Sequence, residues 1–182
     1  MPAPPNHAKL HTGYRHLVLI GMMGAGKTTV GRLVAARLGW AFWDNDEALF
    51  KATGKTAAQV HEQRGWAALH ATEDQLLQEA LCAPAPTVYA AAASVVLNPK
   101  SLNRVATIWL RISAARDELN VARSGQHHRP LPPGAAAMLE RLGREREAAY
   151  ARLADAVVDV ASTPEATCER VLEALKAIGR IP

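Results

Sequence analysis

Cysteine is nearly absent: Cys82 and Cys168 stand far apart and without metal-ligand spacing, which excludes a disulfide framework and a cysteine-built zinc site. Both are expected to be buried packing residues of a protein from a reducing compartment. No stretch approaches the ~20 consecutive apolar residues needed to span a bilayer. The short run Leu17–Met23 holds a glycine and is followed by no clear small-residue cleavage site, so it does not read as a signal peptide. Lys/Arg blocks are missing too. The net charge of +4 comes from scattered residues, which argues against nucleic-acid or membrane partners and for anionic small molecules. Repeats and low-complexity domains are also lacking. A cytoplasmic, monomeric protein is the simplest expectation.

What the chain does contain is an alternation of short Val/Ile/Leu runs with Ala-rich windows over 182 residues, the size of one α/β domain. Residues 1–14, rich in Pro, Ala and His, read as a flexible tail before a single domain over 15–182. The apolar run His16–Ile20 reads as a buried parallel strand, and Lys27–Leu38 as a helix closed by Gly39. Ala41–Trp43 follows as a strand ending on Asp44-Asn45-Asp46. Helices are then expected over Glu47–Lys51, Thr56–Arg64 and Trp66–Leu81, punctuated by Gly54 and Gly65. Strands are expected over Thr87–Ala90, Ala106–Ile112 and Ala156–Val160. Further helices are expected over Ala114–Val121, Ala135–Leu153 and Pro164–Ile178, the last capped by Ser162 or Thr163. The Gly/Pro-rich, basic segment Arg123–Gly134 reads as a functional loop.

Gly21-Met-Met-Gly-Ala-Gly-Lys27-Thr28 matches the phosphate-loop pattern G-x-x-x-x-G-K-[ST] in full, between a strand and a helix. Gly24 and Gly26 let successive N–H groups point inward, and the helix N-terminus adds its positive dipole end. Lys27 reaches the β/γ phosphates and Thr28 offers a hydroxyl to magnesium. Gly24, Ala25, Gly26, Lys27, Thr28 and Thr29 form the expected nucleotide-binding set, with ATP and Mg2+ as the cofactors. Asp44 and Asp46, at i and i+2 beyond a strand, are expected to point together into the crevice at the sheet's carboxyl edge. A helix N-cap followed by an ordinary surface acid is the plainer alternative.

The extended string Gly21–Arg32, with Leu38-Gly39, Asp44-x-Asp46, Thr53-Gly-Lys-Thr56, Gly65, Glu73, Arg129-Pro-Leu131 and Arg146-x-x-x-Tyr150, resembles the shikimate kinase family nearly end to end. The resemblance implies a P-loop, nucleoside-monophosphate-kinase-like α/β fold with a five-stranded parallel sheet. It also implies an acceptor-binding region over about 46–82 and a mobile lid over about 123–134. It implies that Asp44 helps hold magnesium, that Asp46 contacts the acceptor hydroxyl and helps remove its proton, and that Arg146 grips an acceptor carboxylate. In the lid, Arg129 would neutralise the transferring phosphoryl group as a catalytic residue beside Lys27 and Asp46, and Arg123 would stack near adenine.

Two segments depart from the family pattern. Where the family carries Gly-Glu-x-x-Phe-Arg, this chain has Gly65-Trp66-Ala67-Ala68-Leu69-His70, so a guanidinium fork is replaced by an imidazole. The family's glycine triplet aligns with Ala92-Ala93-Ser94, or one residue earlier from Ala91, so methyl groups enter the pocket floor. His70, Ala92 and Ala93 thus join Asp46 and Arg146 as expected acceptor-binding residues. The expected activity is ATP-dependent phosphorylation of shikimate or a similar small, hydroxylated, carboxylated metabolite. Alternatives are a kinase for a different hydroxylated acceptor, or a nucleotide-binding regulatory protein without turnover.

Overall fold

The computed structural model describes residues 16–102, 105–112 and 135–181. The expected tail over 1–14, the helix over Ala114–Val121 and the lid with Arg123 and Arg129 lie outside the described residues.

Strand β1 (His16–Ile20) is central, in a parallel five-stranded sheet of order β2-β3-β1-β4-β5, with β2 at Ala41–Asp44, β3 at Thr87–Ala90, β4 at Ala106–Arg111 and β5 at Ala156–Asp159. Both faces of the sheet are covered, as its near-continuous apolar strands require. Side-chain alternation along β1 divides the core: Leu17 and Leu19 pack against helices α1 (Lys27–Leu38) and α5 (Pro164–Ala177), with Val34, Val171 and Leu175. Val18 and Ile20 face the other way, toward Leu77 of α3 (Ala57–Ala80), Tyr150 of α4 (Ala135–Leu153) and Val95 and Val96. A smaller cluster of Leu49, Val60 and Leu69 joins α2 (Asn45–Thr53) to α3.

The helix starts have identifiable causes. Thr56 opens α3 with a reciprocal capping box to Gln59, and Thr163, rather than Ser162, caps α5. Gly65 breaks α3 with φ 78° and ψ 172°, so the two helical pieces expected on either side of it are real, although their hydrogen bonding runs together. Beyond β3 the chain enters two 3₁₀ turns, Ala93–Leu97 and Pro99–Leu102, which the sequence pattern does not suggest. Of the cysteines, Cys168 is buried in the core but Cys82 is exposed, at the frayed end of α3, which corrects the expectation that both are packing residues. No helix among the described residues is long and apolar enough to cross a membrane.

A parallel sheet places all strand carboxyl ends on one edge. The strand order reverses at β1, whose neighbours are β3 and β4, and ligands of open α/β sheets bind in the crevice at such a point. Residues 21–26 after β1, Asp44 at the end of β2 and the Ala91–Ser94 segment after β3 therefore gather around one crevice.

Candidate active site

The loop after β1 curls because Gly24 and Gly26 both adopt φ 82°, a left-handed conformation that residues with a Cβ rarely take. Gly26 is also the N-cap of α1 and offers no side chain to its first turn, so the helix's opening N–H groups are left to face whatever sits in the loop. Lys27 turns its ammonium back into this loop and donates to the carbonyls of Gly21 and Met22, at 2.9 Å each. Ala25 is buried against the core, whereas Thr28 and Thr29 are exposed at the crevice.

Thr28 donates its hydroxyl to Asp44 Oδ2 at 2.7 Å. Asp44, only 6 % exposed, uses its other oxygen to accept from the backbone N–H groups of Asp46 and Glu47, at 2.9 and 3.2 Å. One carboxylate thus caps α2 and reaches the phosphate loop, combining two roles set out above as alternatives. The sequence argument for Asp46 needs correction. β2 ends at Asp44 and Asp46 belongs to the first turn of α2, so its exposed carboxylate is directed by the helix start and not by strand alternation. Thr28 and Asp44 offer only oxygen ligands, and no cluster of three His, Cys, Asp or Glu side chains occurs among the described residues. Such a sparse, hard donor set fits a cation like magnesium, which keeps several waters and takes other ligands from the substrate's phosphates.

Of the residues expected to bind an acceptor, His70 and Ala92 line one cavity, which Asp46, Ala93 and Arg146 do not. His70 and Glu73 of α3, with Asn45, Ala92 and Ser94, line a small cavity of about 30 Å3. Ser94 donates to Glu73 Oε2 at 2.5 Å. Burial pushes the Glu73 carboxyl up to about 7; Ser94, Arg146 and Lys27 pull the other way, and Asp46 adds to the rise. The fields of Asp46, Arg146 and Lys27 therefore all reach Glu73, which ties the acceptor side to the phosphate loop. His70 lies below its ordinary value, first through burial and then through Arg146 and His61, so its charged form is disfavoured. A guanidinium, by contrast, stays charged throughout the range in which an imidazole titrates.

Arg146 donates to the carbonyl of Ala93 at 3.1 Å, and Tyr150, one turn further along α4, donates to the same oxygen at 2.9 Å. Ala92 has φ −60° and ψ 151°, and Ala93–Leu97 is a 3₁₀ turn, so this segment uses backbone conformations that alanine and serine tolerate. Ala91 is in the core and donates to the carbonyl of Leu19. The other departures separate by position: Leu69 is a core residue, while Trp66 is 56 % exposed and its ring lies 3.8 Å from that of His61 and 5.6 Å from that of His70. Three contributors escaped the sequence argument as such: Ser94 as a donor, Tyr150 as a brace, and Asn45. The buried amide of Asn45 has no hydrogen-bond partner among the described residues and faces a cavity with room for a water or a hydroxyl group.

A glycine-curled loop on the central strand, a lysine within it and a Thr–Asp pair beside it define a P-loop phosphotransferase. Comparison with known proteins makes this more specific. The family model for shikimate kinase matches residues 23–176. A shikimate kinase of Paramagnetospirillum magneticum is 37% identical over 169 residues, 88% of this chain and 84% of that protein. Among solved structures, the Acinetobacter baumannii shikimate kinase in complex with shikimate superposes with a TM-score of 0.82 at 24% identity, over 91% of this chain and 95% of that one. The Aquifex aeolicus shikimate kinase gives a TM-score of 0.72 at 28% identity, over 89% and 96%. The chain belongs to the shikimate kinase family. Membership makes it an ATP-dependent small-molecule kinase that works with a metal ion.

Proposed function

We propose that the chain transfers the γ-phosphoryl group of ATP to a hydroxyl of shikimate or of a closely similar hydroxylated carboxylate, with Mg2+ as the metal. The observation that carries this is that Asp46, Arg146 and Lys27 all act electrostatically on Glu73, which lines a cavity with His70 and Ala92, and that Arg146 also acts on His70. In this reading Gly24, Ala25, Gly26, Thr28 and Thr29 hold the triphosphate, and Lys27 neutralises charge that spreads over the transferring group. Thr28 and Asp44 would hold the magnesium ion, which would supply positive charge to the triphosphate. Asp46 accepts the proton of the attacking hydroxyl. Arg146 turns its guanidinium to the acceptor's carboxylate, against a wall made by His70, Ala92 and Ala93. Arg123 and Arg129 complete the set over the adenine and the phosphoryl group.

Support for shikimate comes from the family and from the relative solved with shikimate bound. His70 in place of the family's arginine favours a second reading, an acceptor that needs a single arginine contact. ADP release with magnesium-ATP, measured with and without shikimate and then with other hydroxy acids and polyols, separates the two. Shikimate-dependent release is expected. Release with another acceptor but not with shikimate moves the substrate, and tight nucleotide binding without any turnover favours a regulatory protein.

A further inference from the structure

Glu73 and Ser94 come from different elements, α3 and the turn after β3, and both are buried where their side chains meet. A carboxyl group in such a place needs a donor, and the Ser94 hydroxyl provides one. Residue 70 stands three positions before Glu73 on the same helix, so the two side chains share a face, and both line one cavity with Ser94. A guanidinium at position 70, which the family pattern carries, would present its fork to that carboxyl; an imidazole does not. The family pattern also has glycine at position 94, which offers no side-chain donor. The position that lost a guanidinium and the position that gained a hydroxyl therefore line one cavity with this carboxyl group.

We propose that Ser94 is a positioning residue of the acceptor site, its hydroxyl holding the Glu73 carboxyl in place of the family's guanidinium at position 70, so that residues 70 and 94 form a coupled pair. This rests on the acceptor-site reading given above. One consequence is that an acceptor's carboxylate meets Arg146 without a second permanent cation beside it, while the orientation of Glu73 is kept.

The test compares the wild type with Ser94→Ala, His70→Arg and the double variant, with Ser94→Gly standing in if Ser94→Ala does not fold. Glu73 protonation is followed by NMR of carboxyl-labelled glutamate without acceptor, and KM and kcat are measured with shikimate. Loss of the hydroxyl is expected to raise the Glu73 midpoint and to raise KM about tenfold with kcat little changed. His70→Arg is expected to lower KM in both backgrounds, by about tenfold more when Ser94 is absent. An equal effect of His70→Arg in the two backgrounds overturns the coupling, as does an unmoved Glu73 midpoint in Ser94→Ala. A wild type inactive on shikimate refutes the acceptor reading instead, and the titration then decides the role of Ser94 alone.

Discussion

Two strands separated by one hydrogen-bonded ladder end in different situations. β1 runs into a loop that keeps every residue of the phosphate-binding pattern, with Lys27 and the Thr28–Asp44 pair set around it. β3 runs into Ala91–Ser94, where the family's glycines are replaced, opposite a His70 that stands for an arginine. The donor side is constrained by the triphosphate, which is the same for every enzyme of the class and is held largely by backbone N–H groups. The acceptor side is held by side chains, which can be exchanged if a second exchange compensates.

Breaking the donor side has the largest expected effect. Lys27→Ala should lower kcat on the order of 10²–10³-fold with the circular dichroism spectrum unchanged, since it removes charge stabilisation from the transition state. Asp46→Asn, on the acceptor's side of the crevice, should lower kcat by about 10²-fold or more while nucleotide affinity, read by calorimetry, stays within the wild-type range. If nucleotide affinity falls with it, Asp46 belongs to the donor side and the division made here fails. Arg146→Ala should raise KM for a carboxylated acceptor by about ten- to a hundredfold and leave KM for ATP unaltered. A matched rise in both constants would show that Arg146 braces the fold and does not select the acceptor.

The smallest effect concerns Glu73 and stability. Its carboxyl binds a proton more tightly in the folded chain, at about 7, than at its ordinary value of 4.5. The stability it contributes is therefore full below about pH 4.5 and is lost as pH rises toward 7. Relative to Glu73→Gln, the wild type should lose up to about 3 kcal/mol over that window, read from denaturant melts at a series of pH values. Parallel stability profiles for the two proteins would mean that Glu73 is solvated in the folded state.

The phosphate loop was legible in the sequence because its function is local: a short contiguous pattern fixes both the backbone curl and the lysine. The family resemblance likewise carried the five parallel strands, and Gly65 marked the break in α3. Other features depended on distance. The Ser94–Glu73 bond joins residues 21 positions apart, and the shared hold of Arg146 and Tyr150 on Ala93 spans more than 50, so no spacing rule reaches them. The strand argument for Asp46 failed because α2 begins one residue after Asp44, where an extended chain had been assumed. Cys82 was misjudged because free cysteine is usually buried, and here the helix ends before the residue can be covered.

The carbonyl of Ala93, accepting from Arg146 and Tyr150 together, bears on how the site can work repeatedly. If Arg146 turns to a carboxylate as proposed, the bond from Tyr150 would still hold this oxygen, so the wall behind the ligand would not be left with a bare acceptor. On that proposal, departure of the product would return the arginine to a seat that has kept its shape, and each cycle would start from the same resting arrangement without repacking the wall.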